Sequence, residues 1–283
     1  MTESVTAAKR RSMPELPEVE TTVRGLARYL EGERLERVSL GRPDMRFPFP
    51  DHLVQSLTGA EVTALGRRAK YGLVHTDRGD TMVFHLGMSG RWRIDPEDIG
   101  RHDHLVLETA AHRFALNDPR RFGFVDLVRA AELDTWPAFA AMGPEPLGPG
   151  FTAQQLKAAL AGRKQAIKLL LLDQRIVAGL GNIYVCEALW RAGISPKKPA
   201  GGVSLAALTR LVASVRAVLA EAIEAGGSTL RDFARPDGEL GYFSKRFDVY
   251  GREDADCRRG DGGTVRRIVQ GGRSTWYCPR CQH

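Results

Sequence analysis

Residues 13–31 read MPELPEVETTVRGLARYLE, and the architecture is read outward from them. Val19, Val23, Leu26 and Leu30 recur at i, i+4, i+7 and i+11, which is one face of a helix over 17–31. Pro17 suits the first helical position, where no donor is lost, and Gly32 suits the exit. Beyond residue 34 the pattern changes. Residues 81–84 (TMVF) and 105–107 (LVL) are short β-rich runs, and 77–80 and 109–111 read as hairpin connections. One helix followed by many short strands, up to about residue 128, predicts an N-terminal β-sandwich or barrel.

Residues 136–150 hold four prolines (137, 144, 146, 149) and three glycines (143, 148, 150), the composition of a linker. Helical patterns follow near 152–162, 165–173, 180–191 and 204–225, with Ser204 a suitable cap for the last. Residues 226–247 are glycine-rich and read as a loop, and the tail from Asp248 is short-stranded. The expected class is therefore α+β with two domains. The boundaries are 14–130 for the sandwich, 131–150 for the linker, 151–247 for the helical part and 248–283 for a terminal hairpin. Residues 1–13 precede them as an extension.

The chain has 283 residues, 43% of them hydrophobic, so a sizeable core is expected. No apolar run approaches the ~18 residues of a membrane span, and residues 1–12 are polar without a signal-like centre. Cytoplasmic residence and a monomer without membrane attachment are the corresponding expectations. A formal charge of +7 points to a polyanionic partner, though basic composition alone does not establish one. Three of the four cysteines (Cys257, Cys278, Cys281) fall in the last 27 residues, which favours a metal site over disulfides. Cys186 lies in a helical pattern and reads as core.

The start of the first helix has a chemical reading besides the structural one of an acidic, proline-started N-terminus. If Pro14 were the first residue, its nitrogen would be a secondary amine, neutral near physiological pH. Such an amine attacks an anomeric carbon and forms a Schiff base, and Glu15 beside it can move protons at the same carbon. Residues 1–12 would instead make that nitrogen an unreactive amide. Translation from Met13, or processing, restores the amine; otherwise the chain is not a lyase.

These residues resemble the opening of formamidopyrimidine-DNA glycosylase. The resemblance recurs in GRRAKY (66–71), HLGMSG (85–90), NDPRRFG (117–123), GLGNIY (179–184), GGSTL (226–230), VYGR (249–252) and GRSTWYC (272–278), in order along nearly the whole chain. It implies a bifunctional enzyme that excises oxidised purines, such as 8-oxoguanine and formamidopyrimidines, from double-stranded DNA and nicks the abasic site by β,δ-elimination. Pro14 would be the nucleophile, Glu15 the acid/base, Lys70 an aid to β-elimination and Arg273 to δ-elimination. His85, His102, Arg163, Asn182 and Tyr250 would follow the DNA backbone, with Lys168 near the lesion. Met88, Arg120 and Phe122 would fill the gap left by the flipped base: an apolar wedge unstacks the step, a flexible thioether fills the hole, and a guanidinium pairs with the orphaned base. Residues 152–191 would form a helix–two-turn–helix, and 226–243 a loop closing over the base.

Each residue also has a plainer reading: a solvated charge for Lys70, core for Met88 and Phe122, a helix cap for Asn182. His102 and His104 suggest a metal pair but have no third ligand nearby, so DNA contact or structure is preferred. The resemblance further implies a four-cysteine zinc finger in the C-terminal hairpin. CPRC (278–281) supplies half of it, whereas the first half reads CRRGDGG (257–263) and lacks its second cysteine. Asp261 is the best substitute by position and His283 the other; a carboxylate is a harder donor than a thiolate. One zinc per chain at most is expected. Two other functions stay open: an endonuclease VIII-like lyase for oxidised pyrimidines, against which Leu16 argues, and a lesion-binding protein without catalysis if Pro14 is blocked.

Overall fold

The structure is a computed structural model and describes residues 13–228 and 242–283. It opens with helix α1 (Leu16–Leu30). The helix starts in a reciprocal capping box: the Glu15 side chain accepts from the Glu18 amide, and Glu18 Oε2 accepts from the Glu15 amide at 2.9 Å. The predicted apolar stripe is buried, with Val19, Val23, Leu26 and Leu30 all 5% exposed or less.

Eight strands and one short helix follow: β1 (Arg37–Leu40), α2 (Leu53–Leu57), β2 (Val62–Arg68), β3 (Tyr71–Thr76), β4 (Asp80–His85), β5 (Arg91–Ile94), β6 (Asp103–Glu108), β7 (Arg113–Asn117) and β8 (Phe124–Arg129). They form two antiparallel four-stranded sheets, ordered β1-β6-β7-β5 and β2-β3-β4-β8. The pairing is antiparallel throughout. Phe84, Met82, Trp92, Leu105, Leu107, Phe114 and Leu116 fill the space between them together with the α1 stripe. A β-sandwich, rather than a closed barrel, is the result.

The stretch read as a linker is more ordered than its prolines and glycines suggest. It contains a 3-10 turn (Ala130–Thr135) and helix α3 (Pro137–Ala140). Pro137 opens that helix, and Trp136 and Phe139 pack edge-on against Tyr71 at 5.8 and 5.3 Å. Aromatic burial anchors the segment to the sandwich.

Helices α4 (Ala153–Leu160), α5 (Ile167–Leu171), α6 (Asn182–Ala192) and α7 (Leu205–Glu224) build a second core around Tyr184, Leu208, Leu211 and Val215. Ser204 caps α7 by accepting from the Ala207 amide, as expected. Strands β9 (Arg266–Gln270) and β10 (Arg273–Tyr277) form the terminal hairpin. Leu16 belongs to the helical core while Val19, one turn on, belongs to the sandwich core. The start of α1 therefore sits at the junction of the two cores. No helix among the described residues is long and apolar enough to cross a membrane. The proposed extension, apart from Met13, and most of the glycine-rich loop, including Gly238 and Gly241, lie outside the described residues.

Candidate active site and metal centre

Glu15 is 3% exposed, at the junction of α1 and α6. Its Oε1 accepts from the Ile183 amide at 2.9 Å, so the carboxylate caps the N-terminus of α6. This is why residue 181 must be glycine: a Cβ there would lie 2.2 Å from the Glu15 carboxyl carbon. The second oxygen, Oε2, is buried without a hydrogen-bond partner among the described residues. Burial pushes the Glu15 carboxyl up to about 7, with Lys70 opposing the shift and Glu18 adding to it. A buried carboxyl poised near neutrality, with one oxygen uncommitted, suits a group that both gives and takes protons.

Pro14, adjacent, is buried, and Met13 before it is exposed. Met13, Lys70, Tyr71, His85, Gln174 and Arg273 line a cleft of about 310 Å³. Burial holds the Lys70 ammonium below its usual range; the Glu15 carboxylate counters this, and Arg273 reinforces it. Lys70 stands at the tip of the β2–β3 turn beside Ala69, whose φ of +53° is left-handed. Glu145, from the proline-rich segment, clamps that turn: Oε1 accepts from the Ala69 amide at 2.6 Å and from Arg68 Nη1 at 2.9 Å, and Arg67 is 2.9 Å from Oε2.

A second cleft, of about 550 Å³, continues from the first and is lined by Arg46, His85, Met88, Arg120 and Phe122 among others. His85 lines both. Its Nδ1 accepts from the Gly87 amide at 3.0 Å, which leaves the proton on Nε2. Burial, then Lys70 and Arg46, lower its pKa to about 4, so the ring is neutral at working pH. Phe122 is 43% exposed, and the Arg120 guanidinium lies over its ring at 4.7 Å.

The remaining predicted residues lie outside the linings of these two clefts. Asn182 is the first residue of α6, and Gly181, not Asn182, holds the cap position. Asn182 Nδ2 instead donates to the Ser274 carbonyl at 2.9 Å, and Oδ1 has no partner among the described residues. Lys168, expected beside the lesion, is fully buried. Its ammonium donates to Thr275 Oγ1 at 2.7 Å and the Ser274 carbonyl at 3.3 Å, so here it supports the strand that carries Arg273. Tyr250 is half-buried and packs on Trp276 at 4.4 Å, its backbone amide held by Glu187. His102 and Arg163 line neither cleft. His104 is structural: buried, it bonds the Asp118 carbonyl through Nε2.

Sequence reasoning assigned nothing to Arg46, Glu145 or Glu18. Glu18 Oε1 accepts from Tyr184 Oη, the Ser228 amide and Ser228 Oγ, all within 2.8 Å, tying α1 to α6 and to the residues after α7. Its only sequence signal is the spacing Glu15–Glu18 across one helical turn, the signature of a cap.

In the terminal region, Cys257, Asp261, Cys278 and Cys281 present ligand atoms that all lie within 4.8 Å of one another. Cys257 Sγ and Cys281 Sγ are 3.8 Å apart, and Cys278 Sγ is 3.7 Å from Asp261 Oδ2. Zinc–sulfur bonds of ~2.3 Å in a tetrahedron require sulfur–sulfur edges of about 3.8 Å, so the donor set fits the ion. His283 is elsewhere, its backbone paired with Gly193 and Ser195. Cys186 is buried in α6, and burial raises its thiol to about 12.

Residues 13–125 match the formamidopyrimidine-DNA glycosylase N-terminal domain, residues 142–234 its H2TH domain, and residues 262–283 the zinc finger found in FPG and IleRS. The chain is 70% identical to a formamidopyrimidine-DNA glycosylase of Erythrobacter litoralis over 95% of its own length and 100% of that protein's. The structure resembles the MutM (Fpg) protein of Thermus thermophilus, with a TM-score of 0.85, 40% identity and coverage of 95% and 98% of the two chains. It also resembles Lactococcus lactis Fpg in a complex with abasic-site DNA, with a TM-score of 0.88, 32% identity and coverage of 95% and 100%. A buried carboxyl between two cores, a cleft lined by Lys70 and Arg273 and a zinc-finger hairpin thus occur in a chain that belongs to the formamidopyrimidine-DNA glycosylase family, DNA-repair enzymes that excise damaged bases and cleave the abasic site.

Proposed function

We propose that this enzyme acts on oxidised purines, such as 8-oxoguanine and formamidopyrimidines, in duplex DNA, through a Schiff base on Pro14. The observation that carries the proposal is the Glu15 carboxyl, buried beside Pro14, raised to about 7 and with Oε2 uncommitted. The Pro14 amine attacks C1′, and the glycosidic electron pair leaves with the base, which takes up a proton. Glu15 delivers a proton to the ring oxygen as the sugar opens to the iminium. Loss of a C2′ proton then expels the 3′ phosphate, and a second elimination expels the 5′ phosphate. Lys70 and Arg273, which flank the cleft, meet the phosphate charge as it develops.

The chemistry requires a free Pro14 nitrogen, so the working species lacks everything before it. Duplex DNA runs across both clefts, with His85 and Asn182 as neutral contacts and Tyr250 and Arg163 further out. The enzyme works as a monomer in the cytoplasm. Asp261 completes the zinc site with Cys257, Cys278 and Cys281, and zinc when bound stiffens the hairpin that carries Arg273.

Borohydride trapping on abasic DNA, read with intact mass, tests the proposal. The expected species begins at Pro14 and forms a covalent adduct. A species retaining residues 1–13 that still traps would point to Lys70 as the nucleophile; one starting at Pro14 that fails to trap would leave a lesion-binding protein.

A further inference from the structure

Met88 and the pair Arg120 and Phe122 come from different turns, 86–90 after β4 and 118–123 between β7 and β8. Two side chains join the two turns, Ser89, whose Oγ accepts from the Arg120 amide at 3.3 Å, and Asp118, which holds more of the donors. Asp118 is completely buried. Its Oδ1 accepts from Ser89 Oγ at 2.5 Å and from the Arg120 amide at 3.3 Å, and its Oδ2 accepts from the Gly123 amide at 2.8 Å. Among the described residues no cation is paired with it. Its charge is met by one hydroxyl and two amide donors, one from the first turn and two from the second. The turns also touch backbone to backbone: a Cβ on Gly87 would lie 2.3 Å from the Phe122 carbonyl carbon and the Gly123 nitrogen.

We propose that Asp118 is a positioning residue whose carboxylate fuses the two turns into one rigid wedge, and so sets how readily a damaged base leaves the stack and how the opposite base is read. The proposal rests on the gap-filling role assigned to Met88, Arg120 and Phe122. A wedge acts only if it does not yield when pressed between base pairs. Two separate turns would move apart under that load, whereas turns sharing one buried carboxylate cannot do so without stranding its oxygens or three donors. The carboxylate is specific to the task. Asp118→Asn keeps the size but turns an amide donor toward either the Gly123 amide or, flipped, the Arg120 amide.

The experiment measures three rates on full-length, Pro14-started enzyme: excision of 8-oxoguanine opposite cytosine, excision opposite adenine, and strand cleavage at a preformed abasic site. Asp118→Asn is expected to lower excision opposite cytosine at least tenfold, to lower abasic-site cleavage less than threefold, and to narrow the cytosine preference at least threefold. Mere loss of folded protein would lower all three rates in proportion and leave their ratios unchanged. Equal losses, or no loss, would overturn the proposal. Ser89→Ala removes the hydroxyl's bond to Asp118 and its bond from the Arg120 amide but keeps the carboxylate, and is expected to shift the ratios in the same direction by a smaller factor. It decides the question if Asp118→Asn does not fold, since unchanged ratios there would overturn the proposal as well. Phe122→Ala separates the two layers of argument. If it lowers excision while Asp118→Asn and Ser89→Ala do not, only the positioning role fails; if Phe122→Ala itself leaves excision unchanged, the wedge reading fails.

Discussion

Glu15 shows how a single side chain trades stability for chemistry. Its carboxyl rises from the ordinary 4.5 to about 7 because burial disfavours the charge. The folded protein therefore binds this proton more tightly than the unfolded chain. The resulting stabilisation is complete below pH 4.5, declines as pH rises from 4.5 to 7 and is gone above 7. Glu15→Gln mimics the protonated form. It is expected to abolish excision and to leave stability near wild type at about pH 4, yet to raise it at about pH 8 by up to about 3 kcal/mol. Denaturant unfolding at the two pH values checks this; an advantage that does not grow with pH would contradict the shift. His85 is the complementary case. Held at about 4 by burial, it is expected to show no titration between about pH 6 and 8 in NMR spectra of the imidazole. In the proposed contact with the DNA backbone, its neutral Nε2–H would donate to a phosphate without a proton having to bind first.

At the scale of elements, the β2–β3 turn and the terminal hairpin each depend on one acidic residue brought from a distance in sequence. Glu145 lies 75 positions from Lys70 yet fixes the turn that presents it. Glu145→Gln leaves one of three donors poorly matched and is expected to lower stability by about 1–3 kcal/mol. Strand cleavage should fall further than that loss explains, because Lys70 is freed to wander. Comparison of cleavage rates with unfolding curves checks it. In the hairpin, Asp261→Ala removes the fourth donor. Metal analysis is expected to give one zinc per chain for the wild type, well below one for Asp261→Ala and full occupancy for Asp261→Cys. A wild-type zinc content equal to that of Asp261→Ala would remove Asp261 from the site. Neither acidic residue carries a motif of its own: Glu145 sits in a Pro/Gly-rich stretch, and Asp261 in a glycine-rich turn.

For the whole molecule, the +7 charge suits a polyanionic partner. Each phosphate neutralised contributes roughly −0.9 to the slope of log affinity against log salt. Arg273→Ala should therefore flatten the slope for abasic DNA by about 1, as filter binding or fluorescence anisotropy across salt concentrations would show. The sequence by itself determined the long helices and the strand-rich character of the first half, but not the short helices α2 and α3. The 3.6-residue stripe of α1, the short strands after it, the Ser204 cap and the clustered cysteines are local patterns, set by backbone geometry within a few residues. It also determined which chemistry was possible, since Pro14 and Glu15, the nucleophile and acid/base of the proposed mechanism, are adjacent in the chain. The tertiary structure alone decided which charges act. Lys70, Lys168 and Arg273 look alike as basic residues, but one lines a cleft, one is sealed against Ser274 and Thr275, and one crowns a hairpin. The near-neutral Glu15 and the shared carboxylate of Asp118 were likewise invisible in sequence. Burial and the convergence of donors are properties of packing between segments far apart in the chain, and no spacing along it encodes them.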